Sequence, residues 1–301
     1  MLSVGIFTGY YPYTLDETIR RIKASDFSCV QLDVSFKDLD ATREPLTAEK
    51  AHLIRDKFRD ANLPIIAVSG YTNFVHPDPV VRQRNIDYLK MMLRYARDLG
   101  CPYVASETGT YNTESDWVWD PRNASPQVFD EAIAIIRDLA RYAEDWGSVF
   151  IVENYINNVV GSVEQVERMF REVDSPALKL ICDPTNYYDD AHIRDVDGTL
   201  RAIFASDNAD KMVIAHAKDI KLAEDTSEKH ADIDADASHS FRGSGSVELP
   251  AAGLGILNYD LYVKLLAEKH PNIPLIIEHL DEGNIDRAKR FVDETLRRVG
   301  V

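Results

Sequence analysis

The chain has 301 residues, of which 45% are hydrophobic and 28% are charged, and its formal net charge is −16. This length suffices for one large α/β barrel or for two average domains, and so acidic a surface repels phosphate backbones, which argues against nucleic acid as a partner. No segment approaches the roughly 20 apolar residues of a membrane span, and the first residues lack the basic and apolar regions of a secretory leader, so we expect a cytoplasmic protein with no membrane partner.

Short apolar runs rich in Val and Ile alternate with longer amphipathic runs along the chain. The apolar runs show little polar–apolar alternation, which is typical of parallel strands that are covered on both faces. The predicted strands are 3–8, 29–34, 64–70, 103–109, 149–155, 178–186, 212–220 and 275–280. The predicted helices between them, chosen by helical periodicity and by capping residues at their ends, are 14–26, 47–62, 79–100, 125–147, 162–174, 196–207, 258–270 and 284–299.

These runs form eight strand–helix units with no linker or low-complexity tract between them. The count predicts one (β/α)₈ TIM barrel over residues 1–301, and an open doubly wound sheet is the alternative. The loop after the first strand reads TGYYPYT rather than GxGxxG, so no dinucleotide fingerprint favours the open sheet.

The three cysteines, Cys29, Cys101 and Cys182, are widely spaced, and each lies inside or beside an apolar run. Their spacing forms neither a CxxC metal motif nor a disulfide framework. We therefore expect reduced thiols in the core, as in a cytoplasmic protein.

Two connections, 109–126 and 220–254, are longer than loops between barrel elements usually are. Both follow the carboxyl ends of predicted strands, the fourth and the seventh. Because the active site of a TIM barrel lies at that end, we expect both to be active-site loops. The acidic stretch DIDAD in the second connection fails the calcium-loop pattern at its glycine and glutamate positions.

Polar side chains stand at the ends of four successive apolar runs: Glu153 ends VFIVE, Asp183 ends LKLICD, His216 ends VIAH and Glu278 ends LIIE. Each one alone would more often be a helix cap or an ion-pair partner than a metal ligand. In a barrel, however, these strand ends converge on one cup, where three carboxylates would repel one another unless a cation joined them. Such a set suits Mn²⁺ best, with Mg²⁺, Co²⁺ or Zn²⁺ as alternatives.

The segments VEN, CDPTN, HAKD and IIE, in this order, resemble the xylose isomerase-like TIM barrels, a family of sugar phosphate isomerases and epimerases. The family includes ketose 3-epimerases, hydroxypyruvate isomerases and inosose dehydratases, and the resemblance covers essentially the whole chain. It implies that the four strand-end residues are metal ligands, and that Glu153 and Glu278 also form the acid/base pair. Ketose 3-epimerases have a histidine where this chain has Asn186, so the resemblance defines the site better than the substrate.

A divalent ion in this cup would bind the carbonyl and neighbouring hydroxyl oxygens of a sugar and stabilise the enediolate left when one glutamate removes the α-proton. Return of a proton by the other glutamate makes the chain an isomerase or epimerase of a sugar or keto-sugar. Loss of a β-hydroxyl instead makes it a dehydratase of an inosose-like keto-cyclitol, which is the alternative prediction. A binding barrel without turnover is a third possibility, whereas the acidic charge argues against an endonuclease for abasic DNA.

Further residues at the strand ends and in the long connections are predicted to contact the carbohydrate substrate: Asn186, Lys218, Arg242, Glu107 and His76. Lys218 should point to the same side of its strand as His216, and an ion pair with a ligand carboxylate is its alternative role. For His76 the alternative is a cap of the next helix. The aromatic residues Tyr111, Trp117 and Trp119 could stack on a sugar ring or form a subunit contact, which would be consistent with a homo-oligomer.

Overall fold

Eight parallel strands close into one barrel in the computed structural model, which describes residues 2–223, 244–278 and 281–301. The strands are β1 (Val4–Phe7), β2 (Cys29–Leu32), β3 (Ile65–Ser69), β4 (Tyr103–Glu107), β5 (Val149–Glu153), β6 (Leu178–Cys182), β7 (Met212–Ala217) and β8 (Leu275–Ile277). Each strand pairs with its neighbours in chain order, and β1 pairs with β8. The predicted TIM barrel is therefore confirmed, and the open sheet is wrong.

A helix follows each strand, and the described ranges contain eight α-helices. They are α1 (Leu15–Ala24), α2 (Ala48–Asp60), α3 (Pro79–Tyr95), α4 (Pro126–Trp146), α5 (Val163–Val173), α6 (Val196–Ala205), α7 (Tyr259–Lys269) and α8 (Ile285–Val299). The hydroxyls of Thr14 and Thr47 accept backbone hydrogen bonds at the starts of α1 and α2. Ser162 and Gln165 form a capping box at α5. Ser125 precedes α4, but its hydroxyl donates to Gln127 instead of capping the backbone.

Most predicted elements end a little earlier than the sequence pattern suggested, and β6 and α3 differ the most. Strand β6 stops at Cys182, because Pro184 has no N–H for a strand ladder and residues Pro184–Tyr187 form a 3₁₀ helix instead. Helix α3 stops at Tyr95, and a turn continues to Gly100, whose φ is +86°. The early end of β6 matters for the site, since Asp183 stands at the junction between the strand and the 3₁₀ helix.

The barrel interior is filled by one layer of small and branched side chains: Cys29, Ala67, Ala105, Ile151, Ile181, Ile214 and Ile276. Gly5 takes the equivalent place on β1, where a Cβ would lie 2.5 Å from Ile276 Cδ1 and 2.6 Å from Cys29 Sγ. Side chains two residues apart along a strand point the same way. The next layer toward the carboxyl ends is therefore polar on seven of the eight strands, with Phe7 on β1. Its polar residues are Gln31, Ser69, Glu107, Glu153, Asp183, His216 and Glu278.

The long connections carry small elements of their own. Residues Pro121–Ala124 form a 3₁₀ helix in the first connection. In the second, Lys221–Leu222 pairs with Val247–Glu248 in an antiparallel hairpin. Arg242 and the DIDAD stretch lie outside the described residues.

Two further sequence predictions concern cysteines and membrane spans. All three cysteines are buried and free of disulfides, as expected. None of the helices in the described ranges has the length and apolar character needed to cross a lipid bilayer.

Gly109 opens the first long connection in a conformation that other residues rarely adopt. Its φ is +89°, and a Cβ there would lie 2.1 Å from Asn73 Oδ1 and 2.8 Å from Asn73 Cα. Gly300, at the end of α8, has a similar φ of +79°, but no described atom lies within 4 Å of its Cβ position. At either position, a residue with a Cβ would bear the cost of roughly 1–2 kcal/mol of a left-handed conformation. Only at Gly109 would the Cβ also clash with a neighbouring residue.

We therefore expect Gly109→Ala to lower the free energy of unfolding by about 1–3 kcal/mol more than Gly300→Ala does. Urea denaturation of the two variants measures the difference. Equal losses would contradict the close packing of Gly109 against Asn73.

Candidate metal centre

One ligand atom from each of four side chains converges at the carboxyl end of the barrel, all of them within 4.8 Å of one another: Glu153, Asp183, His216 and Glu278. His216 Nδ1 lies 3.2 Å from Glu153 Oε1 and 3.3 Å from Asp183 Oδ2. The same nitrogen lies 3.4 Å from Glu278 Oε2. All four residues are buried, so the strand-end residues share one site.

The junction after β6 fixes Asp183. Its Oδ1 accepts hydrogen bonds from Thr185 N at 3.0 Å and from Thr185 Oγ1 at 2.6 Å. These contacts turn Oδ2 toward the other three side chains. Oδ2 is fully buried and accepts no hydrogen bond of good geometry from any described residue, although Lys218 Nζ lies 2.8 Å away.

Helix α7 holds the end of β7 from outside the barrel. Tyr262 donates a hydrogen bond to the carbonyl oxygen of His216 at 2.8 Å, and Tyr259 donates to that of Lys218 at 2.5 Å. Asp219 follows, and its carboxylate accepts from the backbone N–H groups of Gly253 and Leu257, both at 2.9 Å. The HAKD segment is thus held on both sides, and Asp219 organises a loop rather than joining the cluster.

Two basic side chains, Lys218 and His216, face the carboxylates. Lys218 Nζ lies 2.8 Å from Asp183 Oδ2 and 3.4 Å from Glu153 Oε1. Burial opposes protonation of His216, but the nearby carboxylates outweigh it and raise its pKa to about 10. Burial also disfavours charge on Asp183, but Lys218 and His216 hold the pKa of that carboxyl well below its usual range. Burial raises the pKa of Glu278.

These residues fit a divalent metal ion. Three buried carboxylates and one imidazole nitrogen point at a common centre, and Asp183 Oδ2 is directed into it with no strong hydrogen bond of its own. Oxygen-rich sets with a single imidazole suit hard or borderline divalent cations. Such an ion would be held by Glu153, Asp183, His216 and Glu278.

A family model described as the xylose isomerase-like TIM barrel matches residues 19–296. The chain belongs to this family. The match covers every barrel strand except β1, and it includes all four residues of the cluster.

Several solved structures share the same fold over nearly their whole length. A D-tagatose 3-epimerase-like protein is 15% identical, with a TM-score of 0.71 over 99% of this chain and 98% of that one. A xylose isomerase-like TIM barrel protein from Mycobacterium smegmatis, in complex with magnesium, is 16% identical, with a TM-score of 0.69 over 99% of this chain and 96% of that one. An L-ribulose 3-epimerase is 13% identical, with a TM-score of 0.69 over 100% of this chain and 96% of that one. At such identities the likeness shows the fold.

Among the predicted substrate contacts of this xylose isomerase-like barrel, Asn186 and Lys218 touch the cluster directly. Asn186 Nδ2 donates to Glu153 Oε1 at 2.7 Å, and its Oδ1 accepts from Lys218 Nζ at 3.3 Å. Glu107 lines an adjacent pocket of about 60 Å³ together with Trp117. Tyr71, which hydrogen-bonds Glu153, lines the same pocket, so this pocket adjoins the four-residue cluster.

Other predicted contacts lie elsewhere. His76 Nδ1 accepts a hydrogen bond from Asp78 N at 3.1 Å, so its ring takes part in the turn that begins α3. Tyr111 donates its hydroxyl hydrogen to Glu131 on α4, and Trp119 is 47% exposed. Arg242 lies outside the described residues.

The strand-end pattern missed Gln31 and Tyr71. Gln31 Oε1 lies 2.9 Å from His216 Nε2, and Tyr71 donates its hydroxyl hydrogen to Glu153 Oε2. A signal for Gln31 was present, because it is a lone polar residue inside the apolar run CVQL. Tyr71 follows its strand in a loop, where nothing in the sequence distinguishes it.

Proposed function

We propose that this chain is a divalent-metal-dependent isomerase or epimerase of a sugar or keto-sugar. The observation that carries the proposal is the buried convergence of three carboxylates and an imidazole at the mouth of the barrel. The fold supports it as well, because sugar epimerases are among the structures that share it. The ion we expect is Mn²⁺, with Mg²⁺, Co²⁺ or Zn²⁺ as alternatives.

The ion, when bound, would supply Lewis-acid polarisation of the substrate carbonyl and stabilise the negative charge of an enediolate. The chain's own residues would move the protons. Glu153 lies at the end of β5 and Glu278 at the end of β8, with β6 and β7 between them in the barrel. The two carboxylates can therefore contact a substrate from two directions. One carboxylate removes the proton next to the carbonyl, and the other returns a proton.

Asn186 and Lys218 would position the substrate. The amide of Asn186 fixes Glu153 Oε1, and Lys218 presents a buried ammonium group next to the same oxygen. An ammonium group at that place can donate hydrogen bonds to a substrate oxygen that gains negative charge. Since Asn186 does not titrate, its role would be orientation rather than proton transfer.

The test is turnover of keto-sugars by the Mn²⁺-loaded protein in D₂O. We expect solvent deuterium at the carbon next to the carbonyl of the recovered sugar, because the removed proton exchanges with solvent before it is returned. NMR and mass spectrometry of the product measure it. Loss of water with an enone absorbance would assign the dehydratase reaction instead, and a loaded protein that neither exchanges nor dehydrates any keto-sugar would contradict the proposal.

A further inference from the structure

We infer that Gln31 is a positioning residue, which sets the metal-binding nitrogen of His216 and, through Tyr71, the orientation of Glu153. The inference rests on the proposed metal-dependent function. It concerns a residue on β2, on the far side of the barrel interior from the strands that carry the four ligands. Neither the strand-end pattern nor the cluster itself includes this residue.

Gln31 is fully buried in the polar layer of the barrel. Its Oε1 lies 2.9 Å from His216 Nε2. Its amide nitrogen lies 3.2 Å from the hydroxyl oxygen of Tyr71 and 3.3 Å from Ser69 Oγ. One side chain therefore connects to two of the proposed ligands, directly to His216 and through Tyr71 to Glu153.

The hydrogen count fixes the direction of these bonds. Tyr71 has one hydroxyl hydrogen, and it points at the carboxylate of Glu153, so the tyrosine oxygen can only accept from Gln31. The amide nitrogen of Gln31 must then face Tyr71, and its carbonyl oxygen must face His216. Since a carbonyl oxygen only accepts, His216 Nε2 carries the hydrogen.

The consequence concerns the other ring nitrogen. With its hydrogen on Nε2, a neutral His216 has its lone pair on Nδ1, which is the atom that lies 3.2–3.4 Å from the three carboxylates. Metal-binding histidines usually owe their tautomer and ring orientation to a partner of this kind, whose loss costs roughly 10–100-fold in metal affinity. Gln31 fills that place here.

The experiment measures Co²⁺ binding by the full chain, using the visible absorption of the bound ion and titration calorimetry. Gln31→Met keeps the side-chain length and removes both polar contacts, so we expect about 10–100-fold weaker binding and an altered Co²⁺ spectrum. Gln31→Glu keeps an acceptor for His216 Nε2, and it should bind Co²⁺ with an affinity within about tenfold of that of wild type. Ser69→Ala is the matched control, because it removes a Gln31 contact that leads to neither ligand, and it should bind like wild type.

Wild-type binding by Gln31→Met would overturn the inference while leaving the proposed function intact. A wild-type protein that takes up no Co²⁺ would overturn both. A measurement on the wild type tests the inference even if the Gln31 variants fail to fold. In the Zn²⁺-loaded wild-type protein, ¹H–¹⁵N spectra of the histidine rings should show the hydrogen of His216 on Nε2. The signal is assigned by its loss in His216→Gln, and a hydrogen on Nδ1 would overturn the inference.

Discussion

Glu278→Gln is expected to lower kcat by about 10²–10⁴-fold, the range that positioned general acid–base catalysis contributes. The amide has the size and shape of the carboxylate but cannot accept a proton. Glu278 is the most exposed of the three carboxylates, with 8% of its side chain accessible against 2% for Glu153 and 0% for Asp183. It is therefore the carboxylate of the cluster most accessible to an incoming substrate.

Steady-state turnover and α-proton exchange measure this loss, with circular dichroism to show that the variant is folded. Glu248→Gln is the matched control, because Glu248 pairs with Lys221 in the hairpin at 2.9 Å, outside the cluster, and should keep wild-type turnover. The assignment of Glu278 as an acid/base residue would be refuted by a variant that exchanges the α-proton at the wild-type rate.

Asp183→Asn is expected to abolish stabilisation of the fold by metal. At free metal concentrations of roughly 100–1,000 times Kd, a bound ion adds about 2.7–4.1 kcal/mol to the free energy of unfolding. The variant loses the charge of Oδ2, the buried oxygen directed at the other ligands, while an asparagine oxygen can still accept the Thr185 hydrogen bonds that Oδ1 accepts. The 3₁₀ helix after β6 should therefore survive.

Urea denaturation of wild type and variant, with and without added Mn²⁺ and with EDTA, gives both free energies. Metal should raise the stability of the wild type only, and metal analysis of the purified proteins should show loss of the ion in the variant. An Asp183→Asn protein that metal stabilises as much as wild type would remove Asp183 from the ligand set.

The sequence predicted that the four side chains meet because parallel barrels impose a simple geometry. Strands that close in chain order bring their carboxyl ends together, so residues that follow apolar runs meet even when they lie far apart in the chain. The two-residue step from Ile151 to Glu153 repeats from Ile214 to His216 and from Ile276 to Glu278. The fold and the cluster could therefore be derived from period and position alone.

Other features depend on side-chain direction, which the strand pattern does not fix. Tyr71 reaches Glu153 from a loop, whereas His76, from the same loop, turns back to its own helix. Asp219 follows the strand that carries His216, but the backbone N–H groups of Ile220, Gly253 and Leu257 draw its carboxylate away from the cluster. In each case a hydrogen bond determines the orientation of the side chain.

The tyrosines of α7 limit how the cluster could be transferred to another barrel by design. Tyr259 and Tyr262 donate to the carbonyl oxygens of Lys218 and His216 from a helix that contributes nothing to the cup. A design that transferred only the strand ends to another barrel would leave these two carbonyl oxygens without their hydrogen-bond donors. The host barrel would also need both tyrosine hydroxyls, placed to reach the same two carbonyl oxygens.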